Sequence, residues 1–170
     1  MQKIIIIGNP GSGKSTLAKK LGKLLDLKIY HLDILFFKPN WVIRNKDDFD
    51  RDLKKIMQED SWIIDGNYNR TMAMRIEHAD TILFLDFPTI IPLFRIVKRR
   101  FQFRKQQRED VAEACKEKLD YEFFSFVATY RKKKRPKVLK MLEKVEKPKQ
   151  VYIFKNDKDV DVFLNNLKSI

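Results

Sequence analysis

The amino-acid sequence predicts an α/β fold in which helices cover both faces of a parallel sheet. Short apolar runs alternate with helical stretches from one end of the 170-residue chain to the other. The runs are apolar at successive positions, as in strands that are buried on both faces, and their separation by helices favours parallel pairing. Neither a linker nor a repeat interrupts this alternation, so we predict one domain over residues 1–170.

Five apolar runs are predicted strands. They are residues 3–7, 28–32, 62–64, 81–85 and 151–154. The second, third and fourth runs each end at an aspartate, namely Asp33, Asp65 and Asp86. Apolar side chains at helical spacing predict helices over residues 14–26, 46–59 and 160–167. The segment between the fourth and fifth strands, residues 88–147, is too long for one crossover, and we predict that it is a mostly helical insert.

The composition is globular but strongly basic. Hydrophobic residues make up 44% of the chain, and 36 lysines and arginines outnumber 23 acidic residues, which gives a formal net charge of +13. Such a charge favours phosphorylated partners, and both nucleotides or phosphorylated metabolites and nucleic acid fit this prediction. The single cysteine, Cys115, precludes an intrachain disulfide. The apolar run at residues 4–7 is too short for a signal peptide or a membrane span, so we predict a soluble cytoplasmic protein.

A glycine-rich turn joins the first predicted strand to the first predicted helix and matches the pattern G-x-x-x-x-G-K-[ST] at every fixed position. Its residues are Gly8, Asn9, Pro10, Gly11, Ser12, Gly13, Lys14 and Ser15, followed by Thr16. The glycines allow backbone N–H groups to surround an anion, and the helix that follows adds the positive end of its dipole. The turn is therefore predicted to be a P-loop that binds the phosphates of ATP or GTP.

Two side chains of this loop have further predicted roles. The Lys14 ammonium can reach the β- and γ-phosphates, and the Ser15 hydroxyl can bind Mg²⁺. A P-loop also needs a carboxylate near the metal, usually at the end of a neighbouring strand. Asp33, Asp65 and Asp86 all have that position, and each can equally be a strand-end or helix-capping acid.

The order of these motifs resembles the adenylate kinase group of nucleoside and nucleotide kinases. Residues 65–71, Asp-Gly-Asn-Tyr-Asn-Arg-Thr, are similar to the Asp-Gly-Phe-Pro-Arg-Thr of that group, with one extra residue here. Residues 85–88, Leu-Asp-Phe-Pro, resemble its strand-four exit. Arg95 and Arg99 follow with the spacing of its first lid arginines.

A closer resemblance within that group is to small bacterial topology modulation proteins related to adenylate kinase. It rests on Asp33 with Trp41 downstream, and on residues 62–68, Trp-Ile-Ile-Asp-Gly-Asn-Tyr. The resemblance covers most of the chain and implies the three-layer P-loop NTPase fold. That fold has a five-stranded parallel sheet in the order 2-3-1-4-5, and a helical lid is expected around residues 95–135.

The resemblance also implies roles for individual residues. Asp65 would hold the water shell of Mg²⁺, and Arg70 would contact an anionic group of the phosphoryl acceptor. Arg95 would pack against the ATP base, and Arg99 would clamp the ATP phosphates. Asp33 would face the acceptor and take a hydrogen bond or a proton from the attacking hydroxyl. Together these groups would supply the positioning and charge neutralisation that phosphoryl transfer requires.

Two departures from adenylate kinases bear on the acceptor. Residues 68–70, Tyr-Asn-Arg, replace an adjacent proline and arginine, so Arg70 can be displaced or serve another purpose. Residues 31–37, His-Leu-Asp-Ile-Leu-Phe-Phe, replace the threonine-containing acceptor loop, and they suit a hydroxylated or ring-bearing acceptor better than AMP. No spacing pattern predicts a zinc-bearing lid or another metal site among the remaining ligand-type residues, which are Cys115, His31 and His78.

The insert carries most of the excess positive charge. Residues 95–108 are rich in lysine and arginine with phenylalanines among them, and a second basic run covers residues 131–140. One interpretation is a solvated helix face from which a few arginines close over ATP, and another is a surface that binds nucleic acid. A protein or membrane-surface contact is the third. Aromatic residues at helical spacing are predicted to pack the insert onto the sheet: Phe123, Phe124, Phe126 and Tyr130.

Three functions fit these observations. The first is an ATP-dependent kinase that acts on a nucleoside, a nucleotide or another small hydroxylated acceptor. The second is a nucleic-acid-associated P-loop NTPase that affects DNA topology, and the third is a nucleotide-binding regulator with negligible turnover. The chain length favours the kinase, because 170 residues accommodate a kinase core with a lid and leave no separate DNA-binding module.

Overall fold

The computed structural model of the chain describes residues 1–102 and 120–168. Its strands are β1 (Lys3–Gly8), β2 (Ile29–His31), β3 (Phe37–Lys38), β4 (Val42–Ile43), β5 (Trp62–Asp65), β6 (Thr81–Leu85) and β7 (Gln150–Phe154). Its helices are α1 (Lys14–Leu25), α2 (Leu32–Phe36), α3 (Lys46–Gln58), α4 (Asn69–His78), α5 (Ile90–Gln102), α6 (Tyr121–Lys133), α7 (Arg135–Leu142) and α8 (Asp157–Lys168). Part of the predicted lid, including Phe103, Cys115 and the basic residues at 104–108, lies outside the described residues.

Among the described residues, five parallel strands form the main sheet in the order β2-β5-β1-β6-β7. Numbered within this sheet alone, the order is 2-3-1-4-5, which confirms the predicted fold. β3 and β4 form a separate antiparallel hairpin between α2 and α3. The chain order of the main strands reverses at β1, and ligands of such sheets bind beyond the carboxyl ends of the strands at that reversal. The glycine-rich turn begins there, at Gly8.

Helices cover both faces of the sheet, and the side chains of β1 alternate between the two resulting apolar layers. Ile5 and Ile7 pack in the layer that contains side chains of α3 and α7. Ile4 and Ile6 pack in the layer that contains side chains of α1 and α8. All four are fully buried. The isoleucine run is therefore explained by burial on both faces, as expected for a central parallel strand.

The second strand is shorter than the sequence predicts. β2 ends at His31, and Leu32 begins the short helix α2, so Asp33 lies in the first turn of that helix and not directly beyond a strand. Leu32 is fully buried, and it occupies the space beside Gly66, where an added Cβ atom would lie 2.8 Å from the Leu32 Cβ. The chain leaves the sheet early because Leu32 packs against the loop that follows β5.

The aromatic packing predicted for the insert is only partly correct. Tyr130 of α6 is buried, as is Val127 on the same helix face, but Phe124 and Phe126 are 40% and 38% exposed. The helical period places residues 127 and 130 toward the sheet and leaves the two phenylalanines at the margins of that face. Within the described ranges, no helix has both the length and the apolar character that a membrane-spanning helix needs.

Candidate active site

The glycine-rich turn has the backbone of an anion-binding loop. Gly11 has φ +83° and Gly13 has φ +100°, conformations that favour glycine. A Cβ atom on Gly11 would lie 2.7 Å from both the Ile96 Cγ2 atom and the Pro92 carbonyl oxygen of α5, so the turn packs closely under that helix. Helix α1 begins directly after Gly13, which provides no side-chain cap. The first N–H groups of α1 are therefore available to an anion.

Side chains of the turn face its interior and its neighbours. Lys14 Nζ donates a hydrogen bond to the Asn9 carbonyl oxygen at 3.3 Å, so the ammonium lies across the turn. Ser12 Oγ is buried and has no hydrogen-bond partner among the described residues, which makes it a donor that a phosphate oxygen can satisfy. Asn9 Nδ2 donates to the Val127 carbonyl oxygen at 3.0 Å and thereby attaches the turn to α6.

The Ser15 hydroxyl and the Asp65 carboxylate, the two predicted magnesium ligands, lie together. Ser15 Oγ donates to Asp65 Oδ2 at 2.7 Å, and His31 Nδ1 lies 2.9 Å from the same oxygen. Asp65 is only 6% exposed, and its Oδ1 atom has no hydrogen-bond partner in the part of the chain that the structure describes. These oxygens fit Mg²⁺, which binds few protein oxygens and completes its shell with water and substrate phosphates.

No cluster of three or more His, Cys, Asp or Glu side chains within residues 1–102 and 120–168 could enclose a metal ion by itself. The other two strand-end aspartates have different partners. Asp86 accepts hydrogen bonds from Arg135, whose Nε lies 2.7 and 2.9 Å from the two carboxylate oxygens and whose Nη2 lies 2.7 Å from Oδ2. Asp33 Oδ1 accepts a hydrogen bond from the Tyr68 hydroxyl at 2.8 Å.

A fully buried arginine, Arg75 of α4, holds the loop that follows β5. Its guanidinium donates to the carbonyl oxygens of Gly66 at 2.9 Å and of Tyr68 at 3.2 Å, and it also contacts the Asn67 carbonyl oxygen. Burial lowers the pKa of Arg75 to about 9, although the charge of Asp65 opposes this shift. Because Arg75 remains protonated at neutral pH, it stabilises the loop that directly follows Asp65.

Tyr68 connects this loop to Asp33. Its backbone has φ +29°, which is unusual for a residue with a side chain. The ring centroid lies 4.6 Å from that of Phe36 and 5.6 Å from that of Phe49, and these contacts hold the conformation in place. Burial, together with the Asp33 carboxylate, raises the pKa of the Tyr68 hydroxyl far above its ordinary value. The hydroxyl therefore stays protonated and orients Asp33.

Arg95 of α5 lies at the outer side of the P-loop, beside a cavity of about 290 Å³. Its Nη1 donates to the Ser12 carbonyl oxygen at 3.0 Å, and its Nη2 pairs with Asp157 Oδ2 at 2.6 Å. The guanidinium carbon is 5.3 Å from the ring centroid of Phe87. The cavity is lined by Ser12, Gly13, Thr16, Leu17, Lys20, Leu85, Phe87, Arg95, Asp157, Val160 and Asp161. The cavity thus combines apolar side chains with two paired lysine or arginine groups next to the phosphate site.

The other two predicted arginines differ in their surroundings. Arg99 is half-buried and lies one turn beyond Arg95 on α5. Arg70 is 46% exposed at the start of α4, and its Nη2 pairs with Asp50 Oδ1 of α3 at 2.8 Å. The structure thus places Arg70 in an ion pair with the neighbouring helix. Its predicted contact with the acceptor remains a prediction.

Several site residues were not predicted from the sequence. His31 has no metal-type spacing, but the parallel register pairs it with Asp65, so the predicted sheet order contained a signal for this contact. Asn67 lies inside a quoted motif, yet its two hydrogen bonds with the Gly8 backbone became evident only in the fold. Arg135 belongs to a run of basic residues, and nothing in that run distinguishes it from its neighbours.

The sheet order, the P-loop at the strand-order reversal and the helices on both faces define the P-loop kinase fold. No family model matches the chain, and no curated protein sequence matches it. Solved structures do match over nearly the whole chain. They show the fold alone, because the sequence identities are low.

Three of these structures are shikimate kinases or a gluconokinase. The shikimate kinase from Acinetobacter baumannii in complex with shikimate has a TM-score of 0.60 at 15% identity, with 99% of this chain and 92% of that chain covered. The shikimate kinase from Bacteroides thetaiotaomicron has a TM-score of 0.55 at 16% identity, with 98% and 95% covered. A gluconokinase from Sinorhizobium meliloti 1021 has a TM-score of 0.53 at 12% identity, with 99% and 94% covered.

Proposed function

We propose that the protein is an ATP-dependent kinase that transfers the γ-phosphoryl group to a small hydroxylated acceptor. The observation that carries the proposal is the P-loop with Ser15 Oγ hydrogen-bonded to the buried Asp65 carboxylate at 2.7 Å. In this arrangement Lys14 and the N-terminus of α1 neutralise the phosphate oxygens. A bound Mg²⁺, held by Ser15 and through water by Asp65, would add further charge neutralisation.

The acceptor hydroxyl is assigned to Asp33. The Tyr68 hydroxyl fixes one oxygen of the Asp33 carboxylate, which orients the group toward a hydrogen bond with an attacking hydroxyl. Phosphoryl transfer depends mainly on positioning and charge neutralisation, so an oriented carboxylate is sufficient for this role. We assign Arg95 to packing against the nucleobase and Arg99 to binding the ATP phosphates. Arg70 remains a candidate for contact with the acceptor if its ion pair with Asp50 opens.

The type of acceptor is supported by the structural neighbours. Two are named as shikimate kinases and one as a gluconokinase. Shikimate and gluconate are both small hydroxylated carboxylic acids. This favours a hydroxylated metabolite over AMP, in agreement with the acid and phenylalanines of residues 31–37.

A phosphoryl-acceptor screen tests the proposal. ADP formation from ATP is measured over nucleosides, nucleotides and small hydroxylated acids, with and without Mg²⁺. We expect ADP to accumulate only with the correct acceptor and Mg²⁺, and we expect Lys14→Ala to abolish it. Lys23→Ala, an exposed change on the same helix, is the matched control. ATP hydrolysis that is stimulated by DNA and needs no acceptor would instead support the nucleic-acid-associated NTPase.

A further inference from the structure

A second cavity lies between the loop that follows β5 and the C-terminal half of α6. Its volume is about 190 Å³. The residues that line it are Asn67, Tyr68, Asn69, Phe126, Tyr130 and Lys134. We propose that this cavity, called here the acid pocket, binds the carboxylate end of a small hydroxylated acid that serves as the phosphoryl acceptor. The proposal rests on the kinase function and specifies its substrate class.

The acid pocket adjoins both ends of the proposed transfer reaction. Asn67 is joined to the first residue of the P-loop by two hydrogen bonds with Gly8. On the opposite wall, α6 is attached to the P-loop by the hydrogen bond from Asn9 to the Val127 carbonyl oxygen. Tyr68 lines the pocket and also binds Asp33. The walls of the pocket therefore contact both the phosphate loop and Asp33, the proposed hydroxyl-binding carboxylate.

The buried hydroxyl of Tyr130 supports the proposal that the pocket binds a ligand. It is only 4% exposed, and its hydroxyl has no hydrogen-bond partner among the described residues. A buried hydroxyl without a partner destabilises a fold, and such groups are rare in folded proteins. A carboxylate oxygen in the pocket would accept a hydrogen bond from this hydroxyl and remove that cost.

The charges around the pocket favour an anion. None of the lining residues is acidic, and Lys134, at the junction of α6 and α7, contributes an ammonium. Two acids on the surrounding elements are already paired, Asp86 with Arg135 and Asp50 with Arg70. Asp33 lies beyond Tyr68, so an acceptor would have its carboxylate toward Lys134 and its hydroxyl toward Asp33.

The size and lining of the pocket indicate the kind of acid. Pockets for drug-sized ligands measure about 300–1,000 Å³, so a cavity of about 190 Å³ suits a small metabolite and not a nucleotide. The rings of Tyr68, Phe126 and Tyr130 offer apolar faces, and the exposed Asn69 side chain offers an amide for hydroxyl groups. One ammonium matches one carboxylate charge.

Binding of defined probes tests the charge requirement. Gluconate, shikimate and the neutral polyol sorbitol are titrated into the protein by calorimetry at constant ionic strength, without nucleotide. We expect gluconate or shikimate to bind at least about tenfold more tightly than sorbitol, and Lys134→Met to weaken the acid about tenfold, the loss typical of one charged hydrogen bond. Lys132→Met, an exposed change in the same basic run, should leave the affinity within about twofold.

Two results of these titrations would overturn the proposal. Equal binding of both acids and sorbitol would exclude a carboxylate site. Equal weakening by Lys134→Met and Lys132→Met would show only a diffuse attraction to the basic surface. A parallel titration with Mg·ATP tests the P-loop separately, so loss of nucleotide binding would contradict the kinase function without deciding the fate of the acid pocket.

Tyr130→Phe separates a ligand-binding hydroxyl from a structural one. The change removes only the hydroxyl that has no partner in the described chain. We expect weaker binding of the acid, by about fivefold, with an unchanged or higher midpoint of thermal unfolding. A lower midpoint with unchanged affinity would show that the hydroxyl stabilises the fold and does not bind the acid, which would contradict the proposal.

Discussion

Asn67 forms two hydrogen bonds with the backbone of Gly8. The Gly8 N–H donates to Asn67 Oδ1 at 3.0 Å, and Asn67 Nδ2 donates to the Gly8 carbonyl oxygen at 2.7 Å. The side-chain amide thus extends the pairing between β1 and β5 to a position two residues beyond the end of β5. It joins the start of the P-loop to the loop that directly follows Asp65, and so connects the two parts of the phosphate site.

Asn67→Asp should disrupt this pairing while keeping the shape of the side chain. One carboxylate oxygen can still accept from the Gly8 N–H, but the other faces the Gly8 carbonyl oxygen without a proton to donate. We expect the free energy of unfolding to fall by about 1–3 kcal/mol, with weaker Mg·ATP binding, as measured by urea unfolding and calorimetry. Asn166→Asp adds the same charge at an exposed position of α8, and similar losses in both variants would contradict this assignment.

Arg135→Met should leave a buried charge without its partner. The Asp86 side chain is 4% exposed and is paired with Arg135 through two nitrogen atoms. We expect a loss of about 2–4 kcal/mol in the free energy of unfolding, and partial recovery when Asp86→Asn is added. Urea unfolding measures both. Lys137→Met, an exposed change on α7, should stay within about 0.5 kcal/mol, and a double variant no better than the single one would argue against the pair.

Arg95→Met should affect the nucleotide and spare the acceptor. The guanidinium lies over Phe87 and borders the cavity next to Ser12, so its loss removes a cationic surface from the proposed base site. We expect the KM for ATP to rise about tenfold while the KM for the acceptor stays within about twofold. Lys98→Met on the same helix is the control. A rise in the KM for the acceptor alone would show that the nucleobase of ATP does not bind beside Arg95.

The raised pKa of Tyr68 predicts that the free energy of unfolding depends on pH in the alkaline range. Its pKa in the folded chain is raised above the ordinary value of 10.0, so above pH 10 the unfolded chain releases a proton that the folded chain retains. The free energy of unfolding should therefore fall as pH rises beyond 10, by about 1.4 kcal/mol per pH unit from this residue. The contribution is fully present below pH 10.

Comparison of Tyr68→Phe with the wild-type chain isolates this contribution from the titration of lysines. Urea unfolding between pH 9 and 11 should give a shallower pH dependence for the variant. Tyr121→Phe provides the control, since Tyr121 is 86% exposed. Parallel curves for the wild-type chain and Tyr68→Phe would contradict the raised pKa.

Much of the fold could be read from local patterns. The isoleucine run of β1 and the glycines of the turn each have one physical explanation that holds within a few residues: burial on both faces, and backbone conformations around an anion. The end of β2 could not be predicted in this way, because Leu32 turns inward to fill the space beside Gly66, a residue far along the chain.

The sequence by itself determined the P-loop and the parallel sheet covered by helices, because these depend on residue type and spacing along the chain. The resemblance to adenylate kinases added the strand order and the choice of Asp65. Only the tertiary structure decided that His31 shares the Asp65 carboxylate with Ser15, that Arg135 neutralises Asp86, and that Lys134 and Tyr130 line one cavity with Asn67. These contacts join elements that are distant along the chain, and side-chain packing between layers selects them from many residues of the same chemical type.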